Sequence, residues 1–483
     1  MYQENRQQSI FQTPAHFQFQ KAKLDPNNRW ILMAELIPWD LIEEKYKTKF
    51  STRSGRLAKP VRMALGSHLI REKLGLSDRE TVEMIKENPY MQFFIGLEGF
   101  EQQAPFDPSL MTWFRKRLTA EMIGEVNEYV IGKATKSAKS PPKGGSGTGT
   151  TTPDANACEE KTANKGTLIA DATCIPSDIR YPTDVSLLSE AREKAEGLID
   201  QLHAKNRQVG ERKPRTYRRK ARKAYLTFAR NRNPKKKDIR KAIKGQLGYV
   251  RRDLLILEAM NQQDLTEKEQ LLLLTIKTLY EQQQQMYQEE THQVPDRIVS
   301  IHSPWVRPIV RGKPNASAEF GAKVAVSVVS GYNRVEKFSW DAFNESTTLI
   351  DTIETYNLRE GVYPARILAD KIYRTREVLR FCKEHEIRIS GPKLGRPPKD
   401  KTAYRAQCLQ EKAEAGERNA VEGIFGTGKR SYSMDRLTVR GKESSEVQIH
   451  LLFLSLNLWK AVKVFCASWA QRWFLDFGAL QRT

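Results

Sequence analysis

Three carboxylates in this basic chain occupy positions from which acids can do chemistry together: Asp171, Asp370 and Glu422. Apolar runs precede two of them, Leu168-Ile169-Ala170 and Ile367-Leu368-Ala369, so each run reads as a buried strand that carries its acid to a sheet edge. Glu422 lies in ERNAVEGIFGTGKR, residues 417–430, which reads as helix. Gathering three carboxylates costs energy, because like charges repel and raise one another's pKa. Divalent cations relieve that cost, and carboxylate oxygens with water are what Mg²⁺ prefers. Two such ions about 3.5–4 Å apart can hold a phosphodiester between them, one activating the attacking oxygen and the other steadying the leaving one. The bland alternative for Asp370 is a cap on a helix spanning 371–385. Asp178 and Asp184 lie close to Asp171 in sequence, but in the irregular stretch PSDIRYPTD rather than at a strand end.

Bases surround these acids. The 483 residues carry a formal charge of +22, with a pI near 9.6 and a mean hydropathy of −0.61, the balance of a soluble protein with a polyanionic partner. Residues 205–252 hold twenty Lys and Arg against two acids, Glu211 and Asp238, with Tyr217, Tyr225 and Phe228 interleaved. A charge run is usually a solvated face. Here the balancing acids are missing, so phosphate-backbone contact is the better reading. Arg218, Arg219, Lys220, Lys235, Lys236 and Lys237 are its candidates. Trp305, Arg307 and Arg311 in SPWVRPIVRGK could line a nucleic-acid channel with Trp305 stacked on a base, or form a loop packed over the basic segment.

Other chemistries find little support. The five cysteines never form a C-x-x-C pair and the seven histidines are dispersed, which excludes a disulfide framework and a zinc site and suits a reducing cytosol. Gly423 to Lys429 has the spacing of a phosphate loop. Arg430 follows where Ser or Thr is needed, and helix precedes where a strand is needed. LLFLSLNLW, residues 451–459, is too short to span a bilayer and reads as a core helix.

The elements that must position the acids follow from periodicity. KPVRMALGSHLIREK has helical spacing, Gly75 makes a tight turn, and SDRE (77–80) has the form of a capping box, so either a helix-turn-helix-like unit or an ordinary helical bundle is expected. TEKE (266–269) has the same form. Residues 136–165 are rich in Pro, Gly, Ser and Thr and read as a flexible linker. Strands are expected at 166–173, 322–329, 334–340, 366–370 and 387–390, and helices at 347–356, 402–425 and 445–470. The apolar spacing of Leu187, Leu188, Ala191, Ala195, Leu198 and Leu202 makes the segment after the first strand helical.

LIADAT, EFGAKVAVSVV, ILADKIYRT and RNAVEGIFGTGKR, in this order, resemble the catalytic domain of bacterial DDE insertion-sequence transposases. GRLAKPVRMALGSHLIREKLGLSDRETVEMIKENPYMQFFIGL resembles the helical domain that precedes it in that family. The resemblance implies an α/β RNase H-like catalytic domain at 166–184 and 296–483, interrupted by a basic helical insertion at 185–295. A helical N-terminal DNA-binding domain at 1–135 and the linker at 136–165 would come first. It implies Asp171, Asp370 and Glu422 as catalytic and metal-binding residues with two Mg²⁺ ions, for which Mn²⁺ substitutes. Asp171 and Asp370 would share one ion and Glu422 complete the second site. Cleavage at the element's terminal inverted repeats would free 3′-hydroxyls that attack target DNA. Arg418 and Lys429 match the family's phosphate-gripping Arg and Lys, and Arg430 follows. Ala415 stands where the family has a tyrosine. The partners implied are double-stranded DNA and a second copy of the chain, in the bacterial cytoplasm at the nucleoid and away from membranes. The alternatives are a catalytically inactive, transposase-derived DNA-binding regulator, a related Mg²⁺-dependent nuclease without strand transfer, and an RNA-binding protein.

Overall fold

A computed structural model describes residues 23–50, 57–139, 163–206, 212–313, 316–391 and 400–480. Most of the expected linker, 136–165, lies outside them. The chain opens with helices α1 (Arg29–Leu36), α2 (Trp39–Lys47), α3 (Val61–Leu74), α4 (Asp78–Glu87), α5 (Pro89–Phe94), α6 (Leu110–Arg117) and α7 (Ala120–Lys139). Strand β1 (Thr167–Pro176) leads into α8 (Asp184–Asn206), α9 (Arg218–Ala229), α10 (Lys236–Ala259) and α11 (Glu267–Glu289). There follow β2 (Arg307–Lys313), β3 (Ala316–Val329), β4 (Tyr332–Ser339), α12 (Leu349–Glu360), β5 (Arg366–Ala369), α13 (Arg376–Glu384), β6 (Arg388–Ile389), α14 (Lys401–Ser431) and α15 (Lys442–Leu480).

Packing divides this mixed α/β chain into two compact units, one of Met1–Ile175, Val324–Phe338 and Phe343–Thr483, the other of Pro176–Lys323 and Ser339–Ala342. In the first, the strands run in the order β3-β1-β5-β6, with β4 paired to β3. The β1–β5 and β5–β6 ladders are parallel. Period-2 alternation gives the sheet two faces. Leu168, Ala170, Ile367 and Ala369 turn toward Leu349, Ile353, Val378 and Cys382 of α12 and α13. Thr167, Ile169 and Asp171 are half-buried on the opposite face.

Helices of the first 135 residues share one core with α15: Trp30, Leu65, Phe94 and Val126 cluster with Leu451, Leu454 and Leu458. Asn457 Nδ2 donates to Asn127 Oδ1 at 2.8 Å and to the Asn333 carbonyl at 2.7 Å. Lys442–Cys466 is long and apolar enough to cross a membrane by composition, but more than half of its most apolar stretch is buried inside the protein, and LLFLSLNLW is core helix as expected. The expected capping boxes form at α4, where Ser77 and Glu80 exchange bonds, and at α11 with Thr266 and Glu269. A left-handed Gly75 (φ 66°) ends α3. The hairpin between β3 and β4 turns through Ser330 and Gly331, both at positive φ.

Three local expectations change. Strand β1 does not stop at Asp171 but continues to Pro176. The helix expected at 371–385 is a 3₁₀ turn, Lys371–Tyr373, followed by α13, which starts anew on a Thr375 cap. Residues 307–313, read as a channel lining or a packed loop with no strand expected, form β2, antiparallel to β3 with Arg307 opposite Gly321 and Val310 opposite Ala318.

The second unit is built on α8, α10 and α11, with Leu188, Leu198, Val250, Leu257 and Leu279 at its centre. Charge is buried beside them. Arg192 reaches Glu196 at 2.6 Å, and Arg218 forks onto Asp200 at 2.7 and 2.9 Å. Asp253 is fully buried, and neither carboxylate oxygen has a hydrogen-bond partner. Burial, then Glu196, pushes its pKa up to about 7, while Arg192, Arg252 and Arg218 pull it down. The folded pKa thus exceeds the unfolded value of about 3.9, so the neutral acid favours folding and stability falls as pH rises between those values. Urea melts should show the protein more stable at pH 5 than at pH 8, and Asp253→Asn should flatten that dependence.

Candidate active site and basic surface

Register brings two of the three acids together. Ala170 and Ala369 are the last β1–β5 pair, so Asp171 and Asp370 come next on adjacent strands and on one face, about 5 Å apart at Cα. Asp171 stays in β1, half-buried, with its Oδ1 accepting from the Ala172 amide at 2.8 Å. Asp370 is exposed and caps the 3₁₀ turn, its Oδ1 accepting from the Lys371 amide at 2.6 Å. Capping is therefore part of what Asp370 does, although the capped element is a single turn.

The electrostatics around Asp171 are those of a crowded acid site. Burial raises its pKa; the Ala172 amide and then Arg418 pull it down; Glu345 and Asp370 push it up. Tyr373 is buried beneath, and its hydroxyl is raised by burial first, then by Glu345, Asp171 and Asp370. Nothing in the sequence signals Glu345. It is half-buried in the first turn of the 3₁₀ segment Glu345–Thr348, in no apolar run and at no motif spacing.

Helix α14 supplies the third acid. Its N-terminus is capped by Asp400, whose carboxylate accepts from the Thr402 amide at 2.8 Å. Val421 and Phe425 are buried. The glycines at 423 and 428 lie within this helix, so the phosphate-loop spacing is not a loop. Glu422 faces outward, its side chain 58% exposed, with Arg418 Nη2 3.4 Å away. Arg418 thus stands between two acids, paired with Glu422 and lowering Asp171. Lys429 is half-buried and Arg430 exposed in the last turn of α14.

The donor set suits a hard divalent cation in kind: carboxylate oxygens, one of them half-buried among like charges that a cation would relieve. Asp171 and Asp370 are the pair that could hold it. Among the described residues no three His, Cys, Asp or Glu are gathered closely enough to bind an ion as the chain stands. Glu422 is not gathered with them and is paired with Arg418 instead.

The basic candidates separate in the structure. Arg218 is committed to Asp200 and anchors α9. Arg219 and Lys220 on the same helix are exposed. Lys235, Lys236 and Lys237 form the cap and first turn of α10 and are exposed, with Asp238 the one acid there. Three ammonium groups at the positive end of a helix dipole oppose folding, and a bound anion would remove that cost. Tyr217, in left-handed backbone at φ 56°, has the Arg215 and Arg252 guanidinia 4.6 and 4.5 Å from its ring centroid. Trp305 packs edge-on against Trp340 at 6.3 Å with its indole nitrogen buried, the packed-loop reading of that ring. Arg307 faces Asp341 at 3.6 Å and donates to the carbonyls of Pro304 and Val306. Arg311 lies on β2, and its side chain is outside the described residues. Asp184, the rival of Asp171, is taken up by Arg297 at 2.8 Å and Gln283 at 3.0 Å.

The profile of a family described as a transposase DDE domain matches residues 367–459. That of a family described as a transposase domain matches residues 18–117. The first interval contains Asp370, Arg418, Glu422 and Lys429; Asp171 lies outside both. An uncharacterized protein of Rhizobium meliloti, ORF8 in the nfe locus, is 32% identical over 170 residues, covering 35% of this chain and 72% of the relative. No solved structure matches the chain.

Because burial first, and Glu345 and Asp370 after it, disfavour the charged form of Asp171, removing its charge should stabilise the metal-free fold. Asp171→Asn should raise the melting temperature by about 2 °C, and the gain should vanish at pH 3, where the wild-type acid is itself protonated. A lower melting temperature in the variant at neutral pH would contradict the crowding described.

Proposed function

This chain belongs to the DDE transposases of bacterial insertion sequences, and from that premise we propose that it cuts DNA at the ends of its own element and transfers the freed 3′-hydroxyl strands to a target. Asp171, Asp370 and Glu422 are the acids of that reaction. The carrying observation is the parallel register that sets Asp171 beside Asp370 on one face, with Arg418 and Glu422 on the helix whose Glu417 bridges to β5. The two strand acids would hold Mg²⁺, and Glu422, paired with Arg418 in the metal-free chain, is the acid that would complete the set. When bound, the metal supplies charge compensation at the phosphate and a more acidic attacking water.

The chain's own groups do the rest. Asp171, half-buried and crowded, gains most from a cation and is the natural anchor. Freed from Glu422, Arg418 offers its fork to a non-bridging phosphate oxygen. Lys429 and Arg430, farther along α14, extend that grip. Tyr373 packs under the acids and holds the turn after β5, which fixes the direction of the Asp370 carboxylate. Most of the rate acceleration then comes from positioning and charge compensation. The RNase H-like arrangement, the helical N-terminal DNA-binding region and the basic helical insertion belong to this reading, as does a dimer on DNA, because two element ends must be joined.

Two measurements test it. On a supercoiled plasmid carrying the DNA that flanks the gene, Mg²⁺-dependent nicking should fall by at least about 1,000-fold in Asp171→Asn, Asp370→Asn or Glu422→Gln, the loss expected when groups acting as a unit are broken. Undiminished nicking in any of the three removes that acid from the mechanism.

Binding to duplex DNA across a salt series separates the basic residues. Replacing Lys235, Lys236 and Lys237 with glutamine should reduce the slope of log K against log salt by about 3, close to one for each phosphate no longer neutralised. Arg218→Gln should lower stability and leave the slope unchanged, since its guanidinium is already held by Asp200.

A further inference from the structure

We propose that two ion pairs on the acid-bearing face of the sheet, Arg366–Glu417 and Arg388–Glu414, set the placement of α14 and thereby where Arg418 and Glu422 are presented. The four are positioning residues; none reaches the reacting atoms. The inference rests on reading α14 as the helix of the third acid.

Register puts the two arginines in one row across the parallel strands, Thr167 opposite Arg366 and Arg366 opposite Arg388. Arg366 and Asp370 share a face of β5, as do Thr167 and Asp171 on β1. The row therefore lies about 13 Å from the acids along the strands, too far to touch a phosphate held there. The Arg366 guanidinium is itself held, its Nε donating to Thr167 Oγ1 at 2.7 Å. Its two outer nitrogens then fork onto Glu417 at 3.1 and 2.6 Å. Arg388, one strand over, pairs with the buried Glu414.

Glu414 and Glu417 are three residues apart on α14, hence neighbours on one helix face. Fastening them to adjacent strands fixes both rotation about the helix axis and sliding along it. Apolar contact cannot do this alone. Val421 and Phe425 bury surface without direction, and a slide by one turn, about 5.4 Å, leaves such contact possible while carrying Glu422 off its place. Exposed ion pairs add little to stability, whereas a bidentate fork specifies geometry. The bridges therefore fit a positioning role better than a stabilising one.

The test uses the full chain with nitroxide labels on Cys408 of α14 and on a cysteine replacing Leu358 of α12, both exposed positions, after Cys158 and Cys466 are changed to serine. The inter-label distance distribution should be narrow in the parent, broad in Arg366→Glu and in Glu417→Arg, and narrow again in the charge-swapped double variant. Mn²⁺-dependent nicking should fall about 100-fold in each single variant, the cost of a misplacement near 1 Å, and return in the swap, with melting temperatures nearly constant. If Arg366→Glu does not fold, Glu417→Gln is measured in its place. An unchanged distribution in the single variants overturns the proposal. So does a swap that restores the melting temperature but neither distance nor nicking. If the parent itself does not nick, the transposase reading fails, and the distance measurement alone decides the role of the bridges.

Discussion

The parallel register that sets Asp171 beside Asp370 is the constraint on which the rest of this structure depends. Parallel pairing of β1 with β5 ends at Ala170 and Ala369, so the next two side chains on that face are both acids. Nothing in sheet formation favours this; like charges opposite one another destabilise a ladder. The protein tolerates it with one acid exposed as a cap, the other held by its neighbouring amide, and Arg418 as the nearest counter-charge.

The surrounding architecture meets the mechanical demands of such a site. The face of the sheet away from the acids is packed by α12 and α13 through small and branched apolar side chains, which leaves the acid face to α14. Helix α15 and the N-terminal helices close a separate core, beside which Arg71, Glu72 and Arg115 are buried and Gln448 of α15 donates to Glu72 at 3.2 Å. Most of the net positive charge is concentrated between residues 205 and 252, in the second unit. Charges of that density could not be buried. There they either pair internally, as Arg218 does with Asp200, or stay at the surface, as Lys235 to Lys237 do.

Local signals in the chain were readable where one short segment decides its own state. Both capping boxes, the Gly75 turn and the amphipathic helices of the second unit follow from residue type and spacing alone. The apolar runs before Asp171 and Asp370 were legible for the same reason. Boundaries were harder. β1 runs beyond Asp171 because β3 gives it a second neighbour, and the helix after Asp370 breaks at Arg374 because Thr375 caps a new one.

Sequence by itself determined most of the segments that are strand or helix, which faces are apolar, where the acids stand and where the excess positive charge lies, because each is written in neighbours a few residues apart. Tertiary structure decided which acids meet and which cations are free. Asp171 and Asp370, some 200 residues apart, become neighbours through parallel register. Glu345 joins them from a turn without a motif, Arg366 finds Glu417, Arg218 is consumed by Asp200, and Trp305 packs on Trp340. Those pairings depend on closing long loops and on which of many similar side chains arrives first in reach, information that no local period carries.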